Sequence, residues 1–217
     1  MLGGLITEKY NKTIDPDLLS QFDNDYIVLL TETHVGCNNI LTFDHFNYYP
    51  FCQDRSKNNR HFGGLGILIR KDIKRGVKFF NNGTSEYQWF KLRKKKFHLK
   101  RDIFLCIIYL APRSNVDLID ILEKDILDKY GKMGDIMLAG DFNARTGSEP
   151  DFIVNDNILH IPIDNTNYNF DCITEEKVSQ DSVVDSRGKD LLELCICNQL
   201  RILNGRCFGN SAGKHMF

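Results

Sequence analysis

Apolar residues along this chain come mostly in short runs of strand length, each closed by a charged residue, a glycine or a proline. Tyr26 to Thr31, Leu65 to Arg70 and Ile136 to Ala139 are such runs, and Phe97 to Tyr109 reads as one longer strand. Tyr87 to Leu92 alternates and carries Trp89, which makes it a strand. Other segments change period. Leu118, Ile119, Leu122, Ile126 and Leu127 recur at helical spacing, which predicts a helix over Val116 to Lys129. Gly188 to Cys195 is a second helix, with Asp185 in a capping turn before it. Asp15 to Phe22 is a short third, with Asp15 as N-cap and Pro16 at the first helical position. Leu200 to Leu203 reads as a final short strand, while Val35 to Arg60 and Gly147 to Ser186 read as long loops. Hairpins mixed with helix–strand units suggest a layered α/β fold in one domain.

Three of the strands end in residues that can do chemistry. Ile136 to Ala139 stops at Gly140, and Asp141 and Asn143 follow two residues apart. An extended segment would point that pair to one side. In open α/β sheets, ligands bind at the C-terminal strand edge. The bland alternative is a polar turn, since Asp and Asn are common turn formers. The strand from Tyr26 runs into Glu32, whose bland reading is an N-cap or a surface ion pair. The strand from Ile103 finishes at Tyr109, with Pro112 three residues on; the bland reading is a core aromatic with a wet hydroxyl.

Composition bounds the rest. With 217 residues, 42% of them hydrophobic and 26% charged, the chain is long enough for a sizeable core, and its length favours one domain. A formal net charge of −1 gives no global pull toward a polyanion, so any such affinity is local. The local candidate is the turn between Leu92 and Ile103, where Lys94, Lys95 and Lys96 sit among Lys91, Arg93, His98, Lys100 and Arg101. It reads either as a solvated tip with gatekeeper charges or as a phosphate-contacting cluster. The seven cysteines are scattered, with Cys106, Cys195 and Cys197 inside apolar patterns, so they read as reduced core residues rather than a zinc site. No signal peptide and no run of transmembrane length is evident, which predicts an intracellular chain with no membrane partner.

The segments Thr31-Glu32-Thr33, Tyr109-Leu110-Ala111-Pro112 and Gly140-Asp141-Phe142-Asn143-Ala144-Arg145, in that order, resemble the endonuclease/exonuclease/phosphatase superfamily, whose members fold like pancreatic deoxyribonuclease. Gly63 to Ile69, Trp89-Phe90-Lys91-Leu92 and Leu200 to Arg206 resemble the endonuclease domains of LINE-type retrotransposons, so the likeness spans roughly Gly4 to Phe217. The resemblance implies a two-sheet β-sandwich flanked by helices. It implies metal-dependent hydrolysis of DNA phosphodiesters, with Mg²⁺, or Mn²⁺ in its place, held by Glu32. Asp141 would orient or deprotonate the attacking water, and Asn143 and Tyr109 would donate to the phosphate. Arg113 and Lys94, Lys95 and Lys96 are the candidate substrate contacts, although Arg113 stands where many relatives carry a small polar residue or asparagine. Thr31 likewise replaces a common glutamine. The expected partner is DNA, bound by a monomer that in an intact relative is fused to a reverse transcriptase and acts in the nucleus. The family's first-strand asparagine and its closing Ser-Asp-His segment are absent from the sequence, so the expectation is a domain truncated at both ends with weak or no activity. The competing readings are a non-catalytic nucleic-acid-binding remnant and a phosphoesterase acting on a phospholipid or nucleotide.

Overall fold

The structure is a computed structural model that describes residues 15, 17, 20–22, 25–35, 48–53, 63–81, 84–112, 114, 117–156, 171, 174–207, 211 and 213. The chain forms two compact units. One comprises residues 1–116 and 128–143, the other residues 117–127 and 144–217.

The first unit is a sandwich of two sheets. Strands β1 (Ile27–Thr31), β2 (Tyr48–Gln53) and β3 (Leu65–Arg70) form an antiparallel sheet in the order β1-β3-β2. Strands β4 (Val77–Phe79), β5 (Tyr87–Leu92), β6 (Ile103–Tyr109) and β7 (Asp135–Asp141) form the other in chain order; β6 and β7 are parallel, the remaining pairs antiparallel. Leu65, Ile67 and Ile69 from one sheet and Phe90, Leu105 and Ile107 from the other build one buried cluster between them. Phe51 and Phe79 close its side, with ring centroids 4.2 Å apart. Central strand β3 is apolar almost throughout and buried on both faces, as its sequence dictates. On the outer face of the larger sheet, Tyr130 packs its ring 4.5 Å from Trp89 and 5.1 Å from Phe104. The Asp15 carboxylate accepts from Asp17 N at 3.0 Å, the bond expected of an N-cap, while Pro16, Leu18 and Leu19 of the expected helix lie outside the described residues. The two-sheet α+β architecture is thus what the sequence led one to expect.

Four local readings are corrected. Residues 48–53, expected in a loop, form β2; Tyr48 is buried and donates its hydroxyl to the carbonyls of Phe22 and Asp25, and Pro50 is tolerated because β2 is an edge strand. The strand expected from Phe97 begins only at Ile103, because Lys94–Phe97 closes a single helical turn, α1, stopped by His98 at φ 54°. The helix expected over Val116 to Lys129 is shorter: α2 (Leu118–Asp125) gives way to a wider π turn, Ile126–Tyr130. The strand expected at Leu200 to Leu203 does not form. The segment turns to Asp151 instead: Ile202 N donates to the carboxylate at 2.7 Å, and the Arg201 side chain donates through Nη1 to the Asp151 carbonyl at 3.2 Å.

The second unit packs α2 beside α3 (Ser186–Cys197), with Leu118, Leu122, Leu191, Leu192 and Leu194 buried. The Asp185 carboxylate caps α3, accepting from Gly188 N at 2.7 Å and from Arg145 N at 3.1 Å. Beside this apolar core lies a charged one. Fully buried Asp151 receives both Arg206 Nη atoms at 2.6 Å, and Asp171 pairs with Arg201. Burial works to raise the Asp151 carboxyl, but the Arg206 guanidinium and the Ile202 N–H outweigh it and hold it below the usual carboxylate range. Burial pushes the Cys195 thiol up to about 12, with the Asp151 charge adding to it. Buried Lys177, whose ammonium donates to the Glu149 carbonyl, is lowered by the same desolvation. Cys106 and Cys195 are buried as expected, whereas Cys197, on the other side of α3, is exposed.

Candidate active site

The ends of β1, β6 and β7 meet at one edge of the sandwich. The parallel register sets Tyr109 opposite Asp141, on the face that carries Ile107 and Ala139. Tyr109 is 5% exposed, so only its hydroxyl is positioned to do more than fill space. That hydroxyl donates to Glu32 Oε1, which ties the end of one sheet to the end of the other. Glu32 has just left β1 at φ 54°, and His34 follows at φ 52°. Such left-handed backbone is uncommon for residues with a Cβ and is held here by the lacing of residues 33 and 34 onto the turn before β3: Thr33 N donates to Gly64 O at 3.3 Å and His34 N to Gly63 O at 2.8 Å.

Gly140 places Asp141. It sits at φ 132°, and a Cβ there would lie 2.0 Å from the Ile108 carbonyl oxygen, so only glycine lets β7 run flush against β6 to its end. Leu110 N then donates to Asp141 O at 2.8 Å and extends the ladder one step. The Asp141 carboxylate is exposed and accepts from Asn143 N at 2.8 Å, an Asx turn that starts the departing loop. Asn143 adopts φ 45°, so the extended geometry expected for this pair is replaced by a tight turn. Its side-chain amide donates to Leu110 O at 2.9 Å. The turn residues and the chemical residues are therefore the same ones.

The structure thus gathers Glu32, Tyr109, Asp141 and Asn143 at one edge. Arg113 lies outside the described residues. Lys94, Lys95 and Lys96 are exposed on α1, which precedes the start of β6, and so stand at the opposite end of the sheet. One residue at the site escaped the sequence reading. Glu86 is 8% exposed, its carbonyl accepts from Tyr109 N at 2.9 Å, and its carboxylate accepts from Ser114 Oγ at 3.2 Å. The available signal was an acidic residue directly before a buried strand, β5.

The donor set bears on which ion could sit here. Among the described residues no group of three or more His, Cys, Asp or Glu side chains comes close enough to cage a metal. An oxygen-lined edge with an oriented carboxylate at Glu32 and an exposed one at Asp141 fits a hard cation held by few carboxylates and several waters. It does not fit a zinc site of nitrogen and sulfur ligands.

Comparison with known proteins adds a family. Residues 12–171 match the Endonuclease/Exonuclease/phosphatase family, a stretch that contains every residue gathered above. Among solved structures, the chain is similar to the 3′-5′ exonuclease NExo from Neisseria meningitidis and to the 3′ phosphatase NExo from Neisseria bound to a product DNA hairpin. Each shows 12% identity and a TM-score of 0.45, over 67% of this chain and 56% of the other. No curated protein matches the chain.

Proposed function

The chain belongs to the endonuclease/exonuclease/phosphatase family, and from that membership we propose that it hydrolyses phosphodiester bonds of DNA in the manner of a retrotransposon endonuclease, with Mg²⁺ at Glu32. The observation that supports the reading is the junction of Glu32, Tyr109 and Asp141 at one strand edge, two of them joined by a hydrogen bond across the two sheets.

Each side chain has a part that its surroundings allow. The family generally uses divalent metals, and such an ion supplies charge neutralisation at the phosphate and at the departing oxygen. Glu32 is held in one rotamer by the Tyr109 hydroxyl, so it meets an ion without first being ordered. Asp141, exposed and already accepting from one backbone N–H, orients an attacking water and takes its proton. Asn143 keeps a second amide N–H beyond the one given to Leu110 O, and that N–H donates to a phosphate oxygen.

Nicking of supercoiled plasmid tests the reading. Relaxed product should form with Mg²⁺, disappear in EDTA, and disappear in Asp141→Ala. A folded chain that nicks equally well in EDTA, or as Asp141→Ala, would overturn it. Assays on an inositol phosphate headgroup and on a mononucleotide run alongside; faster turnover of either than of DNA would move the substrate class.

A further inference from the structure

The basic cluster lies where the proposed chemistry cannot use it. Strand β6 leaves the basic end at Ile103 and reaches the site end at Tyr109, a run of about 20 Å at the usual strand rise. Residues Leu92, Ile103 and Asp135 pair in register at that far end, as do Ile27, Tyr49 and Ile69 in the other sheet. Two basic turns are joined there. The 3₁₀ turn Lys74–Gly76 packs under α1 so closely that a Cβ on Gly76 would meet the Phe97 ring at 2.6 Å, and Arg93 N donates to Gly76 O at 2.9 Å. The acidic residues beside these turns are already engaged. Asp72 is taken by Arg70, Asp102 by Lys91 and the Lys94 backbone, and Asp135 by Arg101. Among the described residues, no carboxylate pairs with Arg75, Arg93, Lys94, Lys95, Lys96 or Lys100.

Two aromatic rings stand at the same end. Tyr26 is 57% exposed and lies 3.8 Å beneath the Arg70 guanidinium. Tyr49 is 40% exposed, and Lys74 Nζ lies 3.2 Å over its ring. Both rings stand partly in water, and the cations of the two turns have no carboxylate partner among the described residues; a stacking base and its phosphate require that combination. A duplex would use the cations and leave the rings idle.

We propose that this end of the sandwich is a second nucleic-acid surface, which binds a single-stranded polynucleotide through the Lys94–Lys96 and Lys74–Arg75 turns and stacks its bases on Tyr26 and Tyr49. Chemistry at one end and a strand held at the other would keep a displaced or incoming single strand clear of the cleavage edge.

Fluorescence anisotropy in EDTA, which makes the test independent of hydrolysis, is run with labelled oligo-dT, oligo-rU and a duplex of equal length. The triple change Lys94→Glu, Lys95→Glu, Lys96→Glu should weaken single-strand binding at least tenfold. It should also reduce the slope of log affinity against log salt by about 2, as loss of three single-strand phosphate contacts requires. The pair Tyr26→Ala, Tyr49→Ala should weaken oligo-dT or oligo-rU binding about fivefold or more and leave the duplex unchanged. All these positions are exposed, and circular dichroism confirms that each variant is folded. Single-strand affinity within twofold of the parent in either variant overturns the proposal. So does an equal loss for duplex in the tyrosine pair, or tighter binding to phosphatidylcholine–phosphatidylserine vesicles than to the oligonucleotides. The dT-to-rU affinity ratio then says which strand chemistry the surface prefers, and binding to either supports the assignment.

Discussion

Tyr109 illustrates how much of the site is set by single atoms. Its ring is core and its hydroxyl holds Glu32, so removing only the oxygen separates the two roles. Tyr109→Phe should fold normally yet lose about 10- to 100-fold in metal-dependent nicking, the usual cost of freeing a ligand from its orienting partner. Part of that loss should return at higher Mg²⁺, which a metal titration of the nicking rate would show; a loss that no Mg²⁺ concentration reduces would argue that the hydroxyl does something other than position Glu32. The cysteines give a second residue-scale test. Burial keeps Cys195 protonated, with its thiol pushed up to about 12, and Cys106 is buried, while Cys197 and Cys207 are exposed. Iodoacetamide at pH 8 should label Cys197 and Cys207 in the native chain and reach Cys106 and Cys195 only after denaturation, as read by peptide mass spectrometry. Residue identities at the site were legible because Glu32, Tyr109 and Asp141 each close an apolar run. The Asp151–Arg206 pair was not, since nothing in a sequence announces a partner 55 positions away.

Strands and helices were legible wherever the period was clean, as in β3, β5, β7 and α3, and misread where a polar neighbourhood or a long-range partner decided the outcome. β2 is an apolar strand embedded in polar residues, and its Pro50 argues against a strand until its edge position is known. Leu200 to Leu203 has strand composition, but the buried Asp151 carboxylate takes the Ile202 N–H that a strand would have given to a neighbouring strand. Gly140 shows the reverse case, a single residue deciding a whole strand. Gly140→Ala would place a methyl 2.0 Å from Ile108 O at a φ that disfavours any Cβ, so β7 must slide or detach from β6. A loss of at least about 2 kcal/mol in urea unfolding is expected, since strain and a broken parallel ladder add; a variant of parental stability would mean the edge relaxes freely. At α3 the expected loss is smaller. Asp185→Ala removes the acceptor for Gly188 N and Arg145 N and should cost about 1 kcal/mol by the same measurement.

On the scale of the whole molecule, the near-zero formal charge conceals carboxylates held ionised by specific partners, and these set the response to acid. Asp102 is lowered chiefly by the Lys94 N–H and Asp72 chiefly by the Arg70 guanidinium; for Asp151 burial opposes the shift, yet the Arg206 fork prevails. Each folded value lies below the unfolded one near 3.9, so between the two the unfolded chain binds more protons. The stabilisation is therefore complete above about pH 4 and drains away as pH falls through the folded values. Of the three, Asp151 is the one with no exposure, and both its oxygens are engaged. Asp151→Asn leaves the Arg206 charge buried without its partner, and at pH 7 it should cost about 3–5 kcal/mol. Once the native carboxyl is itself protonated, parent and variant both carry an uncharged group at that place, so the gap between their unfolding free energies must shrink as pH drops from 5 toward 2. Urea unfolding followed by circular dichroism across that range measures the gap directly. A gap that stays constant to pH 2 would mean that Asp151 supports the second unit through its shape and neutral hydrogen bonds, and that the acid sensitivity of the chain has another source.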